Sequence, residues 1–248
     1  MKRHFILFFI LTSCIVFAQN TYKDGVYFGT YDFNDSKSWK PQLEITIKGN
    51  KIVLAKMDYI NATGSLKSAD KMYANTMKPK SGIAPQEAYT ELNKKILSLQ
   101  KVPVDSVTGA TTSTKLFNEL AKAILIKAQK GDKSSTVLPM NTTYTASDKP
   151  DGRGYTATLA VTYTNGAITA VNYNEFDAKK QDKKSSDYVN SEMLKTNKTT
   201  WKDAIGKLEA SLLKSQNTFS IDTVTGASSS SQRFIELSKV IASIRGVK

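Results

Sequence analysis

Asp105-Ser-Val-Thr-Gly-Ala-Thr111 and Asp222-Thr-Val-Thr-Gly-Ala-Ser228 are two copies of one seven-residue phrase. Each ends in a hydroxyl residue, and each opens onto an apolar-periodic run. After the first copy the stripe is Phe117, Leu120, Ile124 and Ala128; after the second it is Phe234, Leu237, Ser238 and Ile241. Steps of three and four put each set on one face of a helix. Phe117/Phe234, Glu119/Glu236 and Leu120/Leu237 recur at a constant offset of 117.

The repetition extends upstream. Residues 85–100 read as a helix with Ala88, Leu92, Ile96 and Leu99 on one face, and residues 201–216 read likewise with Ala204, Leu208 and Leu212. Before each helix lies a hairpin pattern. Leu43-Glu-Ile-Thr-Ile47 alternates, Lys48-Gly-Asn-Lys51 turns, and residues 52–59 return. Leu159-Ala-Val-Thr-Tyr163 alternates, Thr164-Asn-Gly-Ala167 turns, and residues 168–173 return. Asn-Gly between alternating runs is a strong signal for a tight turn. Leu43, Ile45, Ile47 and Ile52 recur as Leu159, Val161, Tyr163 and Ile168, 116 residues on. The order hairpin–helix–phrase–helix therefore occurs twice. It predicts an α+β fold of two tandem domains, each a small antiparallel sheet packed against helices. The polar run Lys130-Gly-Asp-Lys-Ser-Ser-Thr136 reads as the linker. Domain 1 with its linker takes residues 19–138 and domain 2 residues 139–248.

Length and composition fit this plan. The 248 residues are 40% hydrophobic with mean hydropathy −0.34, enough for two domains of about 100–150 residues. Residues 1–18 stand apart. Lys2 and Arg3 precede an apolar run from Phe5 to Phe17, and Val16-Phe-Ala18 has the small-x-small pattern of a cleavage site. This layout predicts a secretory signal. The run is too short for a membrane span, which needs roughly 20 residues. Leu11-Thr-Ser-Cys14 also resembles a lipobox, so cleavage after Ala18 and lipidation of Cys14 are both open. The expected location is the periplasm or cell surface, with a membrane-surface anchor if Cys14 is lipidated.

Cys14 is the single cysteine and His4 the single histidine, and both lie in that leader. A chain cleaved after Ala18 has neither. It then has no disulfide, no metal, cluster or haem site built on Cys or His, and no Cys–His or Ser–His–Asp arrangement. No paired-carboxylate motif stands out. We assign no catalytic residue and no metal ligand. The net charge is +13, which favours anionic partners; an exported chain gives no reason to expect nucleic acid among them. The Lys179-Lys-Gln-Asp-Lys-Lys184 run reads as a solvated loop.

The plain reading of the phrase is a helix start. Gly109 supplies a positive φ, Asp105 favours the positive end of the helix, and Thr108, Thr111 or Ser228 offers a cap worth about 1 kcal/mol. A cap, however, needs one oxygen and tolerates Asn or Asp. Here the whole string is kept in both halves while the flanking surface has diverged. A helix start also presents free N–H groups to a phosphate, and Gly lets the backbone approach. There is no Lys after the Gly as in a P-loop, and no second and third Gly as in a dinucleotide fingerprint. Nor does a base within the phrase activate the terminal hydroxyl. Such a hydroxyl suits a substrate better than a catalyst.

Asp-x-x-[Ser/Thr]-Gly-Ala-[Thr/Ser] resembles the flavinylation motif of FMN-binding domains, in which a separate flavin transferase joins FMN to the last hydroxyl by a phosphoester. Lys23-Asp-Gly-Val-Tyr-Phe-Gly29 resembles that family's opening strand, with Gly152-Arg-Gly-Tyr155 standing in for it in the second half. Ser81-Gly-Ile-Ala-Pro-Gln-Glu-Ala-Tyr89 resembles a helix entry of its two-domain exported members. The resemblance implies FMN on Thr111 and on Ser228, with Thr the commoner acceptor. Asp105, Thr108, Gly109 and Ala110, and Asp222, Thr225, Gly226 and Ala227, are then the motif around the cofactor. Tyr59, Tyr73, Tyr173 and Tyr188 either shield the flavin ring or pack the core. The implied role is an electron carrier taking electrons from a membrane flavin or quinone oxidoreductase to an acceptor outside the cytoplasm. Two other functions remain open: a flavin-dependent reductase with a specific small substrate, and a flavin-free surface binding module.

Overall fold

A computed structural model describes residues 21–247. The leader, with His4, Cys14 and the cleavage site after Ala18, lies outside the described residues. The first half runs β1 (Gly25–Tyr31), β2 (Lys40–Lys48), β3 (Lys51–Ile60), a single 3-10 turn (Lys67–Ala69), α1 (Lys71–Ser81), α2 (Pro85–Leu99) and α3 (Thr111–Lys130). After β4 (Thr136–Leu138) the second half runs β5 (Thr142–Ser147), β6 (Thr156–Thr164), β7 (Ala167–Phe176), α4 (Asp187–Asn197), α5 (Trp201–Ser215) and α6 (Ser228–Arg245). The architecture is α+β with two separate small sheets, ordered β3-β2-β1-β4 and β5-β6-β7.

The predicted hairpins are β2–β3 and β6–β7. Both are antiparallel, and both shift register where the strand enters the turn, at Thr46/Ile47 and Thr162/Tyr163. Gly49-Asn50 and Asn165-Gly166 all take positive φ, the left-handed pair that a tight turn between right-twisted strands requires. The alternating residues Leu43, Ile45, Ile47, Leu159, Val161 and Tyr163 are buried as predicted. Against this face pack α2 and α3 in the first half and α5 and α6 in the second. Gln100 and Gln216 tie hairpin to helix in the same way. Gln100 Oε1 accepts the Ile52 N–H (2.8 Å) and its Nε2 donates to the Ile52 carbonyl (3.0 Å); Gln216 does the same with Ile168 (2.6 and 2.9 Å).

The fold departs from the sequence expectation in four places. The opening strand of the second half is β5, paired antiparallel to β6; residues 152–155 instead close a turn in which Asp151 Oδ1 accepts the Arg153 and Tyr155 N–H groups. Each half has an additional helix, α1 and α4, and neither buries a residue, so no apolar period announces it. The linker does not merely span: β4 joins the first sheet parallel to β1. Leu99 is exposed and so falls off the α2 stripe.

The halves also lock together. Asn34, in the loop after β1, donates its backbone N–H to the Arg245 carbonyl (3.1 Å) and its side chain to the Ile244 carbonyl (3.2 Å), and its own carbonyl accepts the Tyr144 hydroxyl (2.5 Å). Buried side chains of both halves form one continuous core. No helix among the described residues is long and apolar enough to cross a membrane.

Candidate functional site

The two phrases adopt one conformation. Ala110 N–H bonds the Val107 carbonyl (2.9 Å), and Ala227 N–H the Val224 carbonyl (3.0 Å). Each turn is then latched by a hydroxyl from its own helix. Thr114 Oγ1 accepts the Val107 N–H (3.1 Å) and donates to the Ala110 carbonyl (3.0 Å); Ser231 does the same with Val224 and Ala227 (3.0 and 2.9 Å). Gly109 and Gly226 sit at φ +77° and +84°, where L side chains are strained. A Cβ on Gly109 would run into the Ser81 carbonyl oxygen at the end of α1. The repeated Gly is therefore required by its positive φ in both copies, and Gly109 by the close approach of Ser81 as well.

The repeated hydroxyl is not. The N-cap residues are Ala110 and Ala227, which offer no side-chain acceptor, and neither helix has a capping side chain. Thr111 and Ser228 are the first helical residues, and both are exposed. The capping role expected of Thr108, Thr111 or Ser228 is thus not taken up. The first amides with a helical acceptor are those of Thr114 and Ser231, bonded to the carbonyls of the two N-cap alanines. The three amides before each remain as donors at the positive end of the helix.

Each phrase borders a cleft of about 460 Å³. Gly109, Ala110 and Thr111 line the first; Gly226, Ala227 and Ser228 line the second. Asp105, Thr108, Asp222 and Thr225 are exposed and lie outside both linings. Two residues further into each helix a serine holds the cleft wall: Ser113 accepts the Tyr59 hydroxyl (3.1 Å), and Ser230 accepts the Trp201 indole N–H (3.0 Å).

Each cleft also holds a lysine that no sequence motif marks. Lys67 and Lys183 occupy equivalent places 116 residues apart. Lys67 is only 6% exposed. Its Nζ lies 4.6 Å from the centres of the Tyr59 and Tyr73 rings and 5.7 Å from that of Trp39. Burial pushes its pKa down, and Asp35, 3.7 Å away, opposes the shift. Lys183 lies 4.8 Å from the Tyr155 ring centre and 5.2 Å from that of Trp201. The run 179–184 is consequently not all solvated loop: Lys183 pairs with Glu175 and Lys184 with Glu209. A visible signal existed, since Asp35/Asp151, Lys67/Lys183 and the aromatic pair Trp39/Tyr155 all recur at 116.

The four tyrosines divide. Tyr59 is buried, stacked on Tyr89 at 5.3 Å, and half-buried Tyr73 lines the first cleft beside it. Tyr173 is core, packed on Trp201 and Phe234. Tyr188 is exposed.

No family model matches the chain. Over 115 residues it is 38% identical to the 15 kDa lipoprotein of Treponema pallidum (strain Nichols), a match covering 46% of this chain and 82% of that one. The chain belongs to the family of that 15 kDa lipoprotein. The match to the 15 kDa lipoprotein is about one repeat long, 115 residues against the offset of 116. Among solved structures, the CPE2226 protein of Clostridium perfringens is 33% identical, covering 48% of this chain and 99% of its own, with a TM-score of 0.48. A protein of Clostridium thermocellum is 24% identical, covering 46% and 94%, with a TM-score of 0.30.

Proposed function

We propose that the protein is an exported carrier of covalently bound FMN, with the cofactor joined as a phosphoester to Thr111 and to Ser228. One observation carries the proposal. In both halves the terminal hydroxyl of the phrase is exposed, plays no capping part, and stands where three free helix amides meet a cleft holding a boxed lysine. A structural role accounts for Gly109 and Gly226 but leaves the hydroxyls without one.

The residues present fit the group. Three amides at the positive end of a helix suit a phosphate. The clefts, about 460 Å³ each, fall within the roughly 300–1,000 Å³ usual for small-ligand sites. In the first, Tyr73 and the aliphatic chain of Met77 offer apolar wall to a ring, and Lys67 and Asp35 offer polar groups. In the second, Val189 and Met193 supply the wall, and Lys183 and Asp151 the polar groups.

Bound flavin supplies the redox chemistry; the chain holds the ring, tethers it and sets the charge around it. The tether suits a protein outside the cytoplasm, where a dissociated cofactor is diluted away. A flavin transferase makes the link, a membrane flavin or quinone oxidoreductase supplies electrons, and an extracytoplasmic acceptor takes them. The name of the Treponema relative supports export and lipid anchoring, so Cys14 becomes the attachment point for lipid, in place of cleavage after Ala18. Flavin fluorescence on a denaturing gel tests the proposal. Protein co-expressed with a flavin transferase should fluoresce in the polypeptide band, and the Thr111→Ala, Ser228→Ala double variant should not. An equally bright double variant would refute the attachment.

A further inference from the structure

The two clefts are built alike but charged differently. In the second, Lys183 Nζ bonds Glu175 at 2.5 Å. Glu175 is 1% exposed, accepts the Tyr173 hydroxyl (2.8 Å), and lies 3.4 Å from Arg233. Arg233 in turn bonds Asp148 (2.7 Å) and Asp151 (2.9 Å). With Arg153 at the rim, three cations meet three carboxylates. The charge of Lys183 is consumed inside the protein.

In the first cleft the residue at the Glu175 position is Tyr59, and the residue at the Arg233 position, one offset of 117 away, is Leu116. Lys67 therefore has no carboxylate at hydrogen-bond distance. Its nearest, Asp35 Oδ2, is 3.7 Å away, beyond the roughly 2.7–3.2 Å of an N–H···O bond. Asp35 Oδ1 is occupied by the Lys37 and Trp39 N–H groups (2.8 and 3.0 Å). Asp58 is tied to Ser68. Lys37 and Lys115 also line this cleft. Lys115 reaches Glu119 at 4.0 Å, whereas the buried cation, Lys67, is held over tyrosine and tryptophan rings.

We infer that Lys67 is the potential-setting residue of the first cleft: it raises the reduction potential of the flavin on Thr111, while Lys183, neutralised by Glu175, does not do so for the flavin on Ser228. The inference rests on the proposed attachment. Reduction adds negative charge to a bound ring, and an incompletely compensated cation in a low-dielectric cleft favours that charge. The first flavin is then the more easily reduced of the two. Lys67 acts by field and position and performs no chemistry of its own.

The test is potentiometric titration of the flavinylated full chain. The Ser228→Ala protein reports the first flavin alone, and the Thr111→Ala protein the second. Lys67→Met in the first should lower the reduction equilibrium at least tenfold, ~30 mV for a two-electron couple. Asp35→Asn keeps the Oδ1 acceptor, removes the opposing charge, and should shift the same flavin upward; it serves where Lys67→Met does not fold. Glu175→Gln should raise the second flavin's potential by freeing Lys183. Unchanged potentials in the Lys67 or Asp35 variants would overturn the inference and leave the attachment standing. Intact mass distinguishes that outcome from failure of the attachment itself, because absence of any flavin increment removes both.

Discussion

The Arg245 guanidinium lies 3.4 Å from the centre of the Phe33 ring. Arg245 ends the last helix of the second half, and Phe33 belongs to the first loop of the first half. The other face of the guanidinium meets Tyr163 at 4.1 Å, and its Nε is buried without a hydrogen-bond partner. A desolvated cation held mainly by rings is an interdomain clasp. Its neighbour in the clasp, Asn34, adjoins Asp35 of the first cleft, and α6 begins at Ser228 of the second. One helix thus runs from one candidate attachment site to a loop that shapes the other.

Replacing Arg245 should loosen that link. Arg245→Ala loses two cation–π contacts and leaves a gap, a cost of ~2 kcal/mol. Urea unfolding followed by tryptophan fluorescence checks this, since Trp39 reports the first half and Trp201 the second. We expect the single transition of the parent to fall to lower urea and to separate into two in the variant. An unchanged midpoint would show that the halves are joined by β4 and the Asn34 bonds alone.

The duplicated core was legible because period-2 and period-3.6 patterns survive in both copies, with Leu43 to Ile52 and Phe117 to Ala128 as clear cases. The α1 and α4 helices were not, because a helix that buries nothing leaves no stripe. The strand β5 was hidden too: Thr142-Thr-Tyr-Thr-Ala-Ser147 buries only Tyr144 and Ala146, too little alternation beside the more suggestive glycines at 152 and 154. Of the candidate site, the phrase was visible and its partners were not. Lys67 and Lys183 look like solvated surface in one dimension; only the fold brings aromatic rings around them.

The two phrase glycines should differ in their intolerance. Both sit in the left-handed region, which costs an L residue roughly 1–2 kcal/mol. Gly226→Ala meets the Asn197 Cβ at 3.0 Å and the Thr199 methyl at 3.2 Å, whereas Gly109→Ala meets a backbone carbonyl that cannot move aside. Thermal unfolding should give a loss of ~1–2 kcal/mol for Gly226→Ala and more for Gly109→Ala. The reverse order would mean that the α1 end gives way more readily than its geometry indicates.

Alkali should unfold the protein steeply. Burial pushes the phenols of Tyr31, Tyr59, Tyr89, Tyr144 and Tyr173 far above the usual tyrosine value. A raised folded pKa contributes stability that is complete below the unfolded value of about 10 and is lost as pH rises beyond it. Each tyrosine still protonated in the folded state removes ~1.4 kcal/mol per pH unit there. Lys67 works in the opposite direction, because its pKa is lowered, but it is one group against five. Far-UV circular dichroism and tyrosinate absorbance, followed from pH 8 to 12, should change together above about pH 10. Tyrosinate absorbance that rises fully before the helices melt would contradict the burial.

The central claim is that two hydroxyls, and no others, carry the cofactor. Intact-protein mass after co-expression with a flavin transferase measures this directly. The account predicts two FMN-phosphoryl increments on the parent chain, one on Thr111→Ala, one on Ser228→Ala and none on the double variant. A parent chain without an increment, or a double variant that keeps one, would contradict it.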